Sequence, residues 1–439
     1  MVKDLSHFPY CEIQFTKDGA VFDRAEKDKA IDLFCNKKNG VTDLFVFSHG
    51  WNNNMDEARG LYDRFFKCMR DTIDQCGKKA GVEDRKFAVL GILWPSMKWT
   101  DASEIAGGAA AIDNPTDVQA LRNKLESMKA IFDHPTQVGL IDLLKGLAGS
   151  LENNPPIQQW FAILGRLLPP RDQNPEDASD YFFSAPGDQL LTKLGGEDLD
   201  DLLVSPDVRQ QSGSGGAQGL GSLIGNVING AKNMLNYTTY YQMKERAGAV
   251  GSKGVNATLA ELRAGAKNLR IHLIGHSFGG RLVTAAANGP AAFNPATMTL
   301  LQAAFSHNGF ARGFDAAGHN GFFRDVVANT KVSGPILVSH SIKDEAVGIG
   351  YPLASRLAGQ QASALGDAND PYGGIGRNGA QKTPEAEFGT LLPFPCANPY
   401  SFTAGKRVFN LKADNIIGGH SDICKNEVCQ AILYAVAQT

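Results

Sequence analysis

The chain has 439 residues, of which 43% are apolar and 20% charged, and its formal net charge is −3. That apolar fraction is enough for a substantial core in one large domain or in two to three of ordinary size. A nearly balanced charge offers no basic field for nucleic acid or an anionic lipid surface, which argues against both as partners.

The first residues lack an apolar core of signal-peptide length, and nowhere do eighteen apolar residues run uninterrupted, so neither Sec export nor a transmembrane helix is expected. Seven cysteines, Cys11, Cys35, Cys68, Cys76, Cys396, Cys424 and Cys429, form an odd set without zinc-type pairing. Reduced thiols in a cytoplasmic protein are the expectation, with signal-less export through a dedicated secretion system left open. Cys424 and Cys429 follow His420 and Asp422, but the spacing matches no common zinc pattern. Buried helix thiols are the expected reading, and no metal site is assigned.

In chain order, Glu12 to Phe15 and Ala20 to Phe22 flank Asp18-Gly19 as a hairpin, and Asp23 is placed to cap an amphipathic helix ending near Asn39-Gly40. Asp43 to Ser48 is a short apolar strand. A helix follows with Leu61, Phe65, Met69 and Ile73 on one face, closed at Gly77. Phe87 to Trp94 is the next strand, stopped by Pro95. From about 96 to 220 the alternation disappears. Helical spacing through Val118, Leu121, Leu125, Met128 and Phe132 gives way to an apolar segment from Val138 to Leu168. Extra buried helices are the preferred reading of that segment over an interfacial lid. Pro155-Pro156, Pro169-Pro170 and the Gly/Ser run from Ser212 to Gly216 divide this insertion. A helical pattern through Leu223, Val227, Ala231 and Leu235 leads back to the core, with Tyr237, Tyr240 and Tyr241 either lining a pocket or packing on the surface.

Strands then recur at Ile271 to Ile274, Thr299 to Phe305, Pro335 to Ser339 and Arg407 to Leu411, with a Gly/Pro-rich excursion over roughly 356–404. No internal repeat is visible. Short apolar strands separated by helical stretches predict an α/β fold with a mostly parallel central sheet covered on both faces. The expected organisation is a core from 1–95 and 221–439 with a helical insertion at 96–220 serving as cap or lid.

Residues 270–280 combine such a strand with Gly275-His276-Ser277-Phe278-Gly279-Gly280 and a small-residue helix that Asn288-Gly289-Pro290 stops. A serine on a strained strand-to-helix turn needs glycine at Gly275 and Gly279, because side chains there collide with neighbouring backbone. Ser277 is therefore the candidate nucleophile. A serine hydroxyl needs an imidazole to accept its proton and a carboxylate to orient that imidazole. Asp344, just beyond a predicted strand, and His420, in the loop after the final one, are the preferred partners. Asp315, Asp325 and Asp414 compete for the acid role, and His307 and His340 for the base. His276 and His49 are read as structural neighbours rather than second bases. An oxyanion hole needs two amide donors. The N–H of Phe278, after the nucleophile, and of Trp51, after His49-Gly50, are assigned to it.

At these positions the chain resembles the α/β-hydrolase superfamily, in its branch of serine hydrolases with a strand-HGWN motif and a GHSxGG elbow. His49 to Asn52, Trp94-Pro95-Ser96, Gly275 to Gly280, Asp344 and Gly419 to Asp422 carry the resemblance, in the order Ser, Asp, His, over about 1–100 and 225–439. The resemblance implies an α/β-hydrolase fold and hydrolysis of small-molecule or lipid carboxylic esters, by an esterase or lipase, with no cofactor. Ser277 in the nucleophile position argues against members with an aspartate nucleophile, such as haloalkane dehalogenases and epoxide hydrolases. The same triad serves thioesterases, amidases and acyltransferases. A non-catalytic binding module on the same fold is the alternative of a different class.

Overall fold

The computed structural model describes residues 3–51, 53–96, 117–151, 154–167, 194, 223–350, 368, 370, 372–395 and 400–439. Among these, nine strands form one sheet: β1 (Lys3–Leu5), β2 (Phe8–Gln14), β3 (Asp43–Ser48), β4 (Phe87–Leu93), β5 (Arg270–His276), β6 (Thr297–Leu301), β7 (Ile336–His340), β8 (Ala386–Thr390) and β9 (Val408–Lys412). Their order is β1-β2-β4-β3-β5-β6-β7-β9-β8. Only β1 runs antiparallel, along β2; every other pair is parallel. The central strands are covered on both faces, which is why β3 between Asp43 and Ser48 and the whole of β4 read as apolar runs and both strands are buried at every residue.

The helices form for identifiable local reasons. Asp23 accepts from the Ala25 amide and starts the Arg24–Cys35 helix. Asn54 and Glu57 form a reciprocal capping box at the head of the Met55–Ala80 helix. That helix buries Tyr62, Phe65, Phe66 and Met69; the Phe65 ring stacks on Phe47 of β3 at 4.6 Å, and Phe66 meets Phe45 and Phe8 edgewise or tilted. The Asn426–Val436 helix joins the same core through Val428, Ile432 and Leu433. Close approaches elsewhere also need missing side chains. A Cβ on Gly251 would stand 2.1 Å from the Leu282 carbonyl oxygen, in the π-helical turn Val250–Val255 that packs on the Phe278–Asn288 helix.

The chain divides into two compact units, Met1–Ser96 with Lys244–Pro352 and Ala362–Thr439, and Met97–Met243 with Leu353–Gln361. The first carries the sheet. The second contains the Asp117–Met128, Pro135–Leu147 and Asn154–Gly165 helices, whose core includes Leu121, Leu125, Phe132, Ile141, Leu144, Trp160 and Leu164. The apolar stretch from Val138 is thus largely turned inward; Leu143 is an exception, at 56% exposed. The boundary falls inside the Leu223–Ala249 helix rather than at 220. From Lys244 onward that helix is tied to the sheet-bearing unit, where Arg281 donates to the Lys244 carbonyl at 3.0 Å. Pro169-Pro170 and Ser212 to Gly216 lie outside the described residues.

Several expectations need correction. Glu12 to Gln14 belong to β2, which also pairs with β1 and β4, and the hairpin is a short one: Phe15 bridges Val21, and the Thr16 and Phe22 amides donate to the Ala20 and Gln14 carbonyls. Gly77 does not end its helix, because a glycine in helical conformation merely weakens it; Gly81, at φ 74°, is the cap. The 356–404 stretch contains β8, an edge strand with little apolar content. The cysteines are not all reduced: Cys76 is disulfide-bonded, while Cys11, Cys35, Cys68, Cys424 and Cys429 are free. Pairing depends on Cα atoms brought within about 7 Å, which spacing along the chain does not reveal. Among the described residues no helix is long and apolar enough to cross a membrane.

At the N-terminal edge of the sheet, Asp43 is fully buried and ties β3, β4 and β5 together. It accepts from His272 Nε2 at 3.0 Å and from the Arg85 guanidinium at 3.0 Å, and His272 Nδ1 faces the Thr297 hydroxyl at 2.9 Å. Burial by itself would raise the Asp43 pKa, but the His272 and Thr42 hydrogen bonds and the Arg85 charge bring it below the usual carboxylate value. Burial also lowers the His272 pKa, so a neutral ring donates to a charged carboxylate. Asp43→Ala leaves the His272, Arg85 and Thr42 donors without this acceptor and is expected to cost about 3 kcal/mol in urea unfolding; a loss below about 1 kcal/mol contradicts the tie.

Candidate active site

The strand order reverses at its centre. From β3 the chain turns to β4 on one side, whereas from β5 it turns to β6 on the other. Such a reversal leaves an opening at the carboxyl ends of the two adjacent strands, where open α/β sheets bind ligands. β3 ends at Ser48, leading into His49-Gly50-Trp51, and β5 ends at His276, leading into Ser277.

Ser277 has φ 57° and ψ −126°, a conformation that non-glycine residues rarely hold. Its backbone is over-determined: the Ser277 N–H donates to the Leu301 carbonyl at 3.0 Å, and the Ser277 carbonyl accepts from Gly280 and Ala304. Glycine is required around it, since a Cβ on Gly275 would lie 2.3 Å from the Gly279 carbonyl oxygen and one on Gly279 would lie 2.2 Å from that of Ser48. Gly50 has the same constraint, because a Cβ there would stand 2.6 Å from the Cβ of Ser277. The loop after β3 therefore lies directly against the candidate nucleophile. Phe278 opens its helix, so its amide is one of the four that a helix leaves without an intrahelical acceptor. Trp51 follows Gly50, and its ring tilts against Phe278 at 6.0 Å.

A latch holds the β3 loop, and only part of it was visible as motif residues. Buried His49 stacks on Trp94 at 5.6 Å, while the Trp94 indole donates to the His49 carbonyl at 3.1 Å. The Trp94 amide faces His49 Nε2 at 3.3 Å and the Gly50 carbonyl lies 2.9 Å from Nδ1, so Nδ1 carries the proton and Nε2 accepts. Ser96 donates to the Asn53 carbonyl at 3.0 Å, and Tyr62 receives the His49 amide at 3.2 Å. Burial drives the His49 pKa down to about 4, which keeps the ring neutral. His-Gly-Trp and Trp-Pro-Ser are recognisable apart, but the stacking that joins them depends on β3 and β4 being neighbours.

Asp344 and His420 meet. His420 Nδ1 stands 3.0 and 3.1 Å from the two Asp344 oxygens, and Asp344 is fully buried. The same carboxylate accepts from the Val347 amide at 3.0 Å. Asp344 follows β7, and the loop bearing His420 leaves β9, its neighbour in the sheet. Three strand spacings, about 14 Å, separate β9 from β5, so this loop returns across the sheet edge to the elbow. It arrives there: the His420 carbonyl is 2.9 Å from His276 Nε2, and the two rings are 4.9 Å apart.

The competitors are engaged elsewhere. Asp315 pairs with His319 at 2.6 Å on the surface, Asp414 pairs with Lys412 at 3.2 Å and accepts from the Ile342 amide, and Asp325 lies in the first turn of the short Arg324–Ala328 helix. His307 faces Asn378, and His340 Nδ1 faces the Arg377 carbonyl. Near His420, Asp422 accepts from the Gly418 amide and pairs with Lys425, while Cys429 is buried in its helix. Among the described residues no group of three or more His, Cys, Asp or Glu side chains is placed to hold a metal ion. The chain matches no known protein-family model, curated protein or solved structure with which it was compared.

The buried imidazole at His49 has a consequence for acid stability. In the unfolded chain it takes a proton near pH 6.5, whereas in the folded one it does so only near pH 4. Between these values the unfolded state binds more protons, so stability falls as pH falls. His49→Gln lacks that loss, and its stability deficit relative to the wild type is expected to narrow from pH 7 to about pH 4 in urea titrations; a constant deficit contradicts the buried neutral ring.

Proposed function

We propose that the protein is a serine hydrolase of the α/β-hydrolase type, which cleaves small-molecule or lipid carboxylic esters through an acyl-serine intermediate. The observation that carries this reading is the buried Asp344 carboxylate on Nδ1 of His420, in a loop bonded to the residue immediately before the strained Ser277. Among the described residues no other histidine paired with a carboxylate lies in a loop bonded to the neighbour of a serine with positive φ.

In the proposed mechanism Asp344 fixes the tautomer in which Nδ1 carries the proton and Nε2 accepts. As Ser277 Oγ bonds to the acyl carbon, its proton passes to His420 Nε2 and the carbonyl electrons move onto oxygen. The amides of Trp51 and Phe278 stabilise that oxyanion; loss of one such donor costs about 3 kcal/mol of transition-state stabilisation. Collapse of the tetrahedral intermediate breaks the bond to the leaving oxygen, which takes the proton from His420 and departs as the alcohol. Water then attacks the acyl-serine, gives a proton to His420, and releases the acid as that proton returns to Ser277. Thioesters, amides and acyl transfer use the same atoms, and the shape of the acyl and acceptor pockets decides among them.

Purified protein is expected to hydrolyse p-nitrophenyl esters and to be labelled by a fluorophosphonate probe. Ser277→Ala abolishes both, and Asp344→Asn lowers kcat by about four orders of magnitude because the imidazole loses its tautomer. Full turnover and labelling in Ser277→Ala refutes the assignment. A folded wild type that neither turns over esters, thioesters or anilides nor takes the probe points to a binding module instead.

A further inference from the structure

His276 lies inside the elbow but is not needed for proton transfer in the mechanism above. Its side chain is 95% buried between two functional loops, being 5% exposed. On one side, Nδ1 lies where a Cβ on Gly50 would come within 3.2 Å, against the loop that precedes Trp51. Among the described residues that nitrogen has no hydrogen-bond partner. On the other side, Nε2 is 2.9 Å from the carbonyl oxygen of His420. A carbonyl only accepts, so Nε2 carries the proton and donates. Burial and the neighbouring His420 ring hold the His276 pKa down to about 3. The ring therefore stays neutral and adds no second cation beside a base that must take up a proton.

The loop from β9 has other anchors on either side of His420, and the Asp422 amide closes the turn containing it by donating to the Gly419 carbonyl at 3.3 Å, but none of these bonds engages the His420 carbonyl. Ile417 and Ile423 are buried in the core, the Ile417 amide donates to the Ala413 carbonyl, and Asp422 caps the Gly418 amide. Asp344 restrains the imidazole ring but not the peptide that carries it. The bond from His276 falls on the peptide of His420 itself, at the point where the loop has crossed back over the sheet edge.

Resting on the hydrolase reading, we propose that His276 is a positioning residue: its Nε2–H fixes the main chain of His420, so that the imidazole is aimed at the serine one residue away. The arrangement couples two roles to one strand end, because the residue that precedes the nucleophile also sets the register of the base. A displacement of the base by about 1 Å is enough to cost up to 100-fold in rate.

Three substitutions separate the donor from the ring. In His276→Gln the side-chain amide reaches the position of Nε2, in His276→Asn it reaches only that of Nδ1, and His276→Leu has no donor. Turnover of p-nitrophenyl esters is expected to stay within about 3-fold of wild type for Gln, whereas Asn and Leu lose about 10-fold or more in kcat with KM little changed. Hydrogen exchange over residues 413–425 in the free protein gives a readout independent of chemistry. It is expected to accelerate in the Asn and Leu variants, not in Gln, with other regions unaffected. Equal exchange in all three variants overturns the brace whether or not the protein is a hydrolase. Accelerated exchange with unchanged kcat, or a Gln variant as impaired as Leu, overturns the positioning role or the donor, respectively. Failure of the hydrolase reading appears separately, as a wild type without Ser277-dependent turnover, and it removes the catalytic purpose assigned to the brace.

Discussion

Backbones meet at the ends of β3 and β5 at distances that admit no side chain. Gly50 lies against the Cβ of Ser277, Gly279 against the carbonyl of Ser48, and Gly275 against the carbonyl of Gly279. These contacts tie the turn before the Phe278–Asn288 helix to the loop after β3 without any adjustable rotamer between them. Two parallel strands hydrogen-bonded to each other thus deliver the serine and the facing loop as one rigid piece. The positive φ of Ser277 is maintained because the bonds from Leu301, Gly280 and Ala304 leave its peptide no cheaper conformation.

Burial sorts the histidines around this sheet. His49, His272 and His276 are all buried, and desolvation pushes each pKa below that of a free imidazole. Each then serves as a neutral ring with a defined tautomer: His49 closes the loop after β3, His272 completes the Asp43 tie at the opposite edge, and His276 reaches the chain at His420. His420 differs in having both carboxylate oxygens of Asp344 on one nitrogen while its side chain keeps 12% exposure. A carboxylate compensates a charge on that ring, which none of the three buried rings except His272 has beside it. Beside His272 the carboxylate is that of Asp43, which is already shared with Arg85.

Much of the architecture was legible along the chain because its signals are local. β3 was readable to the residue, β5 and the helix after Ser277 almost so, and the Asp23 cap was visible one residue before its helix. What escaped were elements stabilised by distant partners. β2 carries Pro9, which lies one residue before the pairing with β4 begins at Tyr10, on the side where only the short β1 runs. β8 has the pattern of an exposed edge and exists because β9 offers it a ladder. At the site, Asp344 was preferred over Asp315, Asp325 and Asp414 on its place after a strand, and the geometry that brings it to His420 is a property of the neighbouring strands β7 and β9.

The residues alone determined that a serine would stand between glycines at a strand-to-helix turn, since only those residue types permit the backbone to bend there. They also determined the alternation of short apolar strands with helices, which is a pattern of period and burial. The tertiary structure decided which histidine meets which carboxylate, that Trp94 stacks on His49, and that His276 touches the loop bearing His420. Those pairings cross 45 to 144 residues of chain and follow from the order of strands in the sheet, which periodicity cannot encode because it records only what lies a few residues away.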